Sequence, residues 1–338
     1  MTDNNKNILI IGPSWLGDMI MAQSLMILLK AQGFQKIDLL APQWCLEVAK
    51  NMPQVNNIIE SKLAHGELNI AKRYHLGKSL RGQYSHAIVL PNSFKSALIP
   101  FFAKIPIRIG WRGEFRYGLL NDLRVLNKNN FPLMIQRYAQ LGLPKDAPPI
   151  IDAPIPELIT ISPLSCSDKF NLNDPEAIIL CPGAAGGSAK RWPKEYYLNV
   201  AENLLRQNKQ IWLMGSINDK EITDFIANQL PLDSCKNLAG TLKLSETVNV
   251  ISLAKALVTN DSGLMHVASA LKMPVIAIFG PTSPKHTPPL GSQAVILENK
   301  IPCQPCFKKK CPLNHHRCMI DIEPIRVINE IEKVSINK

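Results

Sequence analysis

Short apolar runs alternate along this chain with amphipathic stretches, and the alternation predicts strands and helices in turn. Residues 8–11, all Ile or Leu, predict a first buried strand. Behind the turn Gly12-Pro-Ser-Trp-Leu-Gly17-Asp18, the residues Ile20, Met21, Leu25, Leu28 and Leu29 recur at helical spacing up to about Gln32, with Gly33 as the stop signal. Residues 37–40 predict a second strand, so the chain opens as a βαβ unit. Another strand is predicted at 87–90. Six prolines (144, 148, 149, 154, 156 and 163) then fall between Leu141 and Ser165 with little periodicity, which marks a domain boundary. The pattern restarts with strands at 177–181 and 211–213, a helix from Pro193 to about Gln207, and another helix capped by Ser245 or Glu246. A further βαβ unit follows. Its first strand ends near Val258, its helix is capped by Asp261 or Ser262 and carries Leu264, Val267, Ala268 and Leu271, and its second strand covers 275–279. From Pro324 a last helix presents Val327, Ile328 and Ile331 on one face. The expected class is α/β, with two similar halves.

Polar residues gather where the strands end, the edge at which parallel sheets bind ligands. Gly12 and Gly17 lack the G-x-G-x-x-G spacing, which counts against a dinucleotide dehydrogenase. Asp18 at the entry of the first helix is a candidate general base, or equally a carboxylate favoured by the helix dipole. The strand at 87–90 runs into Pro91-Asn92-Ser93-Phe94-Lys95-Ser96, and further on stands the cationic Arg108-Ile-Gly-Trp111-Arg112-Gly-Glu-Phe-Arg116-Tyr117. Lys72, Arg73, Lys78 and Arg81 add a second basic group. Arginine forks fit phosphate, so these suit a phosphorylated partner; any one of them alone reads better as solvated surface. Trp and Tyr among arginines could also stack bases.

The second half repeats the arrangement. After 177–181 comes Pro182-Gly183-Ala-Ala-Gly186-Gly187-Ser188-Ala-Lys190-Arg191-Trp192-Pro193, a glycine-rich, hydroxyl-bearing, doubly basic loop suited to cradle phosphate, although no Walker A motif is present. Asp219, beyond the strand at 211–213, suits either ribose hydroxyls or a helix cap. Asn260-Asp261-Ser262-Gly263-Leu-Met-His266 would offer an anion the N–H groups and positive end of a helix; the competing reading is a well-capped structural helix.

Composition narrows the partners. At 338 residues two domains are expected, and 46% hydrophobic with 19% charged residues is ordinary for a soluble, well-cored protein. Lys and Arg outnumber Asp and Glu by 38 to 27, a net +11 that predicts anionic company: nucleic acid, an acidic membrane surface or phosphorylated substrates. The N-terminal Met-Thr-Asp-Asn-Asn-Lys-Asn has no signal-peptide pattern and no apolar run is long enough to span a bilayer, so a cytoplasmic setting with reduced cysteines is expected. Of the eight cysteines, Cys303, Cys306, Cys311 and Cys318 lie within sixteen residues, with His315 and His316 between them. They could hold a structural zinc ion or an iron–sulfur cluster, away from any bond-forming chemistry. The spacing fits no standard zinc ribbon, and reduced loop cysteines are the alternative.

Several of these segments together resemble a known family. Trp15-Leu-Gly-Asp18-Met, Leu90-Pro-Asn-Ser-Phe-Lys-Ser, Gly110-Trp-Arg-Gly-Glu, Arg116-Tyr-Gly-Leu-Leu-Asn-Asp, Lys190-Arg-Trp-Pro and Asn260-Asp-Ser-Gly-Leu-Met-His are similar to segments of the ADP-heptose:lipopolysaccharide heptosyltransferases of glycosyltransferase family 9. The likeness spans nearly the whole chain. It implies a GT-B fold, two Rossmann-like domains facing each other across a cleft: residues 1–160 for the acceptor, 161–322 for the nucleotide sugar, and a helix at 323–338 packing back across them. It implies inverting transfer of L-glycero-D-manno-heptose from ADP-heptose to the first heptose of a heptosyl-Kdo2-lipid A type acceptor, without a catalytic metal or other cofactor. Asp18 would then be the base. Ser188, Lys190, Asp219, Asp261, Ser262, Gly263 and His266 would bind the donor, with Lys190 also catalytic, and Trp15, Asn92, Ser93, Lys95, Arg112 and Arg116 would bind the acceptor. A peripheral position on the cytoplasmic face of an anionic inner membrane is implied, and no nucleic acid. Outside this resemblance stand another GT-B nucleotide-sugar enzyme and a basic nucleic-acid-binding protein with a cysteine metal cluster.

Overall fold

The structure, a computed structural model, describes residues 6–64, 66–231 and 233–336. The chain divides into two compact units, one ending at Ile159 and the other beginning at Thr160.

Each unit is built on one sheet. The first contains β1 (Asn7–Ile11), β2 (Lys36–Ala41), β3 (Asn57–Glu60), β4 (His86–Val89), β5 (Ile107–Trp111) and β6 (Asp122–Arg124), all parallel, in the order β3-β2-β1-β4-β5-β6. The second contains β7 (Ile178–Cys181), β8 (Ile211–Leu213), β9 (Cys235–Asn237), β10 (Ala256–Asn260), β11 (Val275–Phe279) and β12 (Ala294–Glu298), again all parallel, in the order β12-β11-β10-β7-β8-β9. Counted from its own first strand, each sheet runs 3-2-1-4-5-6, the doubly wound order. Its reversal point falls between β1 and β4 in one unit and between β7 and β10 in the other. Helices cover both faces of such a sheet, which is why the central strands are buried on every residue, β11 with apolar side chains alone and β10 with Thr259 and Asn260 at its carboxyl end.

The expected strands and helices are present with shifts of a residue or two at their ends, except that the helix expected to be capped by Ser245 or Glu246 begins earlier, at Leu244 with Lys243 as its N-cap residue, and Glu246 instead accepts the Lys243 N–H from inside the first turn. Five strands were hidden from the pattern: β3, β5, β6, β9 and β12. β5 lies inside the cationic stretch, where Ile109, Gly110 and Trp111 are its buried positions. The proline-rich segment also yields a helix, Pro163–Phe170, with its proline in the first turn. Helix Pro324–Ile336 packs on helix Lys194–Arg206 and on β10 and β11, so it is part of the second unit's core. Burial of Val327, Ile328 and Ile331 there contributes on the order of 5 kcal/mol.

Candidate active site

In the second unit the loop after β7 and the helix after β10 meet at the reversal point, and an asparagine fastens them together. Asn260, fully buried at the end of β10, donates from Nδ2 to the carbonyls of Pro182 (2.8 Å) and Gly183 (3.2 Å) and accepts the Trp192 N–H at Oδ1 (3.1 Å). Trp192 is itself anchored, its indole N–H donating to Ile322 O at 2.8 Å. The loop therefore leaves the sheet in one fixed path, and Lys190, in the short 3-10 turn Ser188–Lys190, lies across Gly186. Lys190 Nζ is 2.6 Å from Asp261 Oδ2, which also accepts the Thr282 hydroxyl at 2.7 Å. Ser188 is exposed beside it.

Helix Gly263–Ala270 begins at this point. Ser262 is its N-cap residue by backbone geometry, but its hydroxyl pairs with that of Thr259 at 3.0 Å and no side chain caps the helix. An uncapped N-terminus next to a lysine is an electropositive corner. His266, one turn in, is buried, and burial depresses its pKa to about 4, so the imidazole there is neutral. Asp219 is held differently. Its Oδ2 accepts the backbone N–H and hydroxyl of Ser216 at 2.9 and 2.7 Å in a capping box, and its carboxylate fills the space a Cβ on Gly183 would need. That is the capping alternative named above, and it leaves Asp219 a brace for the Gly183 turn.

The reversal point of the first unit carries Asp18, in the first turn of helix Leu16–Ala31. The hydroxyl of Tyr138 hydrogen-bonds to it; Tyr138 is buried, and desolvation followed by the charge of Asp18 raises its pKa well above the usual range, so it remains a donor. Burial and the same carboxylate push the Cys45 thiol up to about 12. Across the reversal point, Asn92 and Ser93 follow β4, with Lys95 in the 3-10 turn Phe94–Ala97. Trp15 and Arg112 are exposed.

Arg116 departs from expectation. It is 1% exposed, and its guanidinium donates to Pro91 O (2.7 Å), Asn92 Oδ1 (3.0 Å) and Trp111 O. Its terminal nitrogens are engaged with these oxygens in the interior, so it shapes the Asn92 loop and does not present a cation to an acceptor. Arg73 and Arg108 are anchored likewise, Arg73 on Leu68 O, Lys95 O and Glu67 O, Arg108 on Leu119 O and Ile105 O. Burial lowers the pKa of all three.

The model of "Glycosyltransferase family 9 (heptosyltransferase)" matches residues 73–317. Lipopolysaccharide heptosyltransferase 2 of Salmonella typhimurium is 47% identical over 97% of this chain and 98% of its own. Lipooligosaccharide heptosyltransferase 2 of Haemophilus influenzae is 44% identical over 97% and 99%. The chain belongs to glycosyltransferase family 9. The solved structure of E. coli ADP-heptose lps heptosyltransferase II superposes with a TM-score of 0.87 at 42% identity, covering 98% of each chain. The α/β architecture with two parallel six-stranded sheets is thus the GT-B fold of this family, and the protein is a glycosyltransferase.

Two of this family member's best-placed groups escape a reading by motif. Tyr138 stands far along the chain from Asp18, and nothing in its neighbours announces a carboxylate partner. Asn260 was visible only as the residue before Asp261, although its position at a strand's carboxyl end is the signal that could have raised it.

Proposed function

We propose that the chain transfers a heptose from ADP-heptose to the first heptose of the lipopolysaccharide inner core. The observation that carries this is the uncapped N-terminus of helix Gly263–Ala270 with Lys190 fixed beside it by Asp261, at the reversal point of a doubly wound sheet. An ADP diphosphate at that corner would meet N–H groups, a helix dipole and an ammonium. As the glycosidic bond breaks, the leaving oxygen gains charge, so these groups stabilise the transition state more than the ground state. Lys190, Ser188, Ser262 and Gly263 take the diphosphate. Asp261 orients Lys190, and neutral His266 supports the helix from beneath without adding charge.

Asp18 acts as the base. It removes the proton of the acceptor hydroxyl as that oxygen attacks the anomeric carbon, in one displacement that inverts the carbon and releases ADP. Tyr138 holds the carboxylate by donating to it. Asn92, Ser93, Lys95, Arg112 and Trp15 line the acceptor side, where a phosphorylated sugar core suits the cations.

Among the described residues no helix is long and apolar enough to cross a membrane. The exposed Phe115 and Tyr117 beside Arg112 support peripheral attachment to an anionic bilayer, which should weaken as salt rises. The deciding experiment is transfer of radiolabelled heptose from ADP-heptose to core lipid bearing one heptose, compared with lipid bearing none. Equal labelling of both lipids, or labelling of neither, would overturn the assignment.

A further inference from the structure

The loop between β12 and the C-terminal helix takes no part in the chemistry above, yet it is built with unusual care. Cys303, Cys306, Cys311 and Cys318 all line one small cavity of about 20 Å³, together with His315 and His316. That volume holds roughly one water-sized occupant.

The backbone around Cys311 is arranged to receive a thiolate. The backbone N–H groups of Leu313, Asn314, His315 and His316 face its sulfur. Asn314 and His316 reach this geometry only by adopting left-handed φ angles of 56° and 49°. N–H groups directed at one sulfur stabilise negative charge there, as second-shell donors do for a metal-bound ligand. All four cysteines are free.

Both histidines have other work. His315 Nδ1 accepts the Arg317 N–H at 3.0 Å, so in the neutral ring Nε2 carries the proton; that nitrogen lies 3.9 Å from the Cys303 sulfur. His316 Nε2 donates to Ala189 O at 2.7 Å. The remaining ligand set is four sulfurs. A divalent ion with four thiolates carries a net charge of about −2, and exposed Lys308, Lys309 and Lys310 lie within the same loop to offset it.

We propose that Cys303, Cys306, Cys311 and Cys318 bind one thiophilic divalent ion, zinc or iron, as a tetrahedral tetrathiolate. Among the described residues no three Cys, His, Asp or Glu side chains are gathered about a single point, so binding requires the cysteines to rotate about Cα–Cβ from the cavity wall onto the ion. The four thiols release four protons to solvent as the four metal–sulfur bonds form, with no change of oxidation state.

The test uses the full chain, purified reduced and anaerobically, with metals measured by mass spectrometry. About one equivalent of zinc or iron per folded chain is expected, falling below roughly a tenth in Cys303→Ser/Cys306→Ser and unchanged in Cys235→Ser. Cobalt(II) exchanged into the wild-type protein should show the intense visible absorption of a tetrahedral thiolate site, a readout independent of any variant's folding. Folded wild-type protein with less than about a tenth of an equivalent of either metal, and no cobalt spectrum, would sink the proposal. Acid-labile sulfide in stoichiometric amount would sink it too, since that marks a cluster.

Discussion

Replacing Lys190 by alanine tests whether that ammonium serves the reaction or only the fold. Lys190 and Asp261 form a 2.6 Å pair whose side chains are 22% and 9% exposed. Without the lysine, the Asp261 carboxylate keeps the Thr282 hydroxyl and little solvent. Exposed pairs contribute about 0–1 kcal/mol and breaking a buried one costs about 3–5, so this half-enclosed pair puts Lys190→Ala at about 2 kcal/mol destabilising. If the lysine also stabilises the departing diphosphate, turnover should fall by about 10²–10³-fold, equivalent to about 3–4 kcal/mol of barrier. A second substitution separates the two effects. Lys190→Ala/Asp261→Asn removes the stranded charge while keeping an acceptor for Thr282, so the urea midpoint should return most of the way to wild type with turnover still depressed. ADP release at saturating ADP-heptose and urea unfolding, measured on the same preparations, give both quantities. Turnover that recovers in step with stability would refute the electrostatic argument and leave Lys190 a structural residue.

Asp18→Asn should keep ADP binding, measured calorimetrically, and lose about 10²–10⁴-fold in transfer; near-normal turnover removes Asp18 as base. Tyr138→Phe should retain the fold at a cost of about 1 kcal/mol and lower turnover less than Asp18→Asn does, since it removes an orienting hydrogen bond. His266 gives a pH dependence whose sign is fixed by its depressed pKa: the unfolded imidazole protonates near pH 6.5 and the folded one only near 4. Its contribution is therefore present above about pH 6.5 and lost at up to about 1.4 kcal/mol per unit as pH falls toward 4. His266→Gln should flatten that part of the stability profile, and an unchanged slope between pH 6.5 and 4.5 would contradict it. Gly183→Ala would set a Cβ 2.2 Å from the Asp219 carboxyl carbon, so thermal denaturation should show a loss of about 1–3 kcal/mol.

What could be read from the chain beforehand was set by burial. Strand β11 is apolar on every residue, and β10 on its first three, because helices cover both faces, and such runs are visible without a structure. β5 was missed because an edgeward strand between charged neighbours keeps only part of that signature. The strand-end loops could be identified for the same reason as the strands they follow. The fate of individual cations could not. Arg73, Arg108 and Arg116 looked like an open basic surface, and each is instead bound to carbonyls distant in sequence. An arginine's charge is apparent in a sequence, whereas the carbonyls that accept from it come together only on folding. The same limit hid the Tyr138–Asp18 contact. Ser262 shows a subtler case: its place at the helix start was foreseeable, while the turning of its hydroxyl to Thr259, which leaves the helix end bare, depended on a neighbour three residues back.

The cysteine loop is stitched to the loops at Ala189 and Pro281 at three places. Lys309 O accepts the Ala189 N–H, His316 donates to Ala189 O, and Phe307 N–H donates to Pro281 O. Ala189 adjoins Lys190, and Pro281 adjoins Thr282, the two partners of Asp261. Oxidation of these thiols during storage would thus be felt as a drifting nucleotide affinity between batches, and fresh reductant would be the first remedy to try.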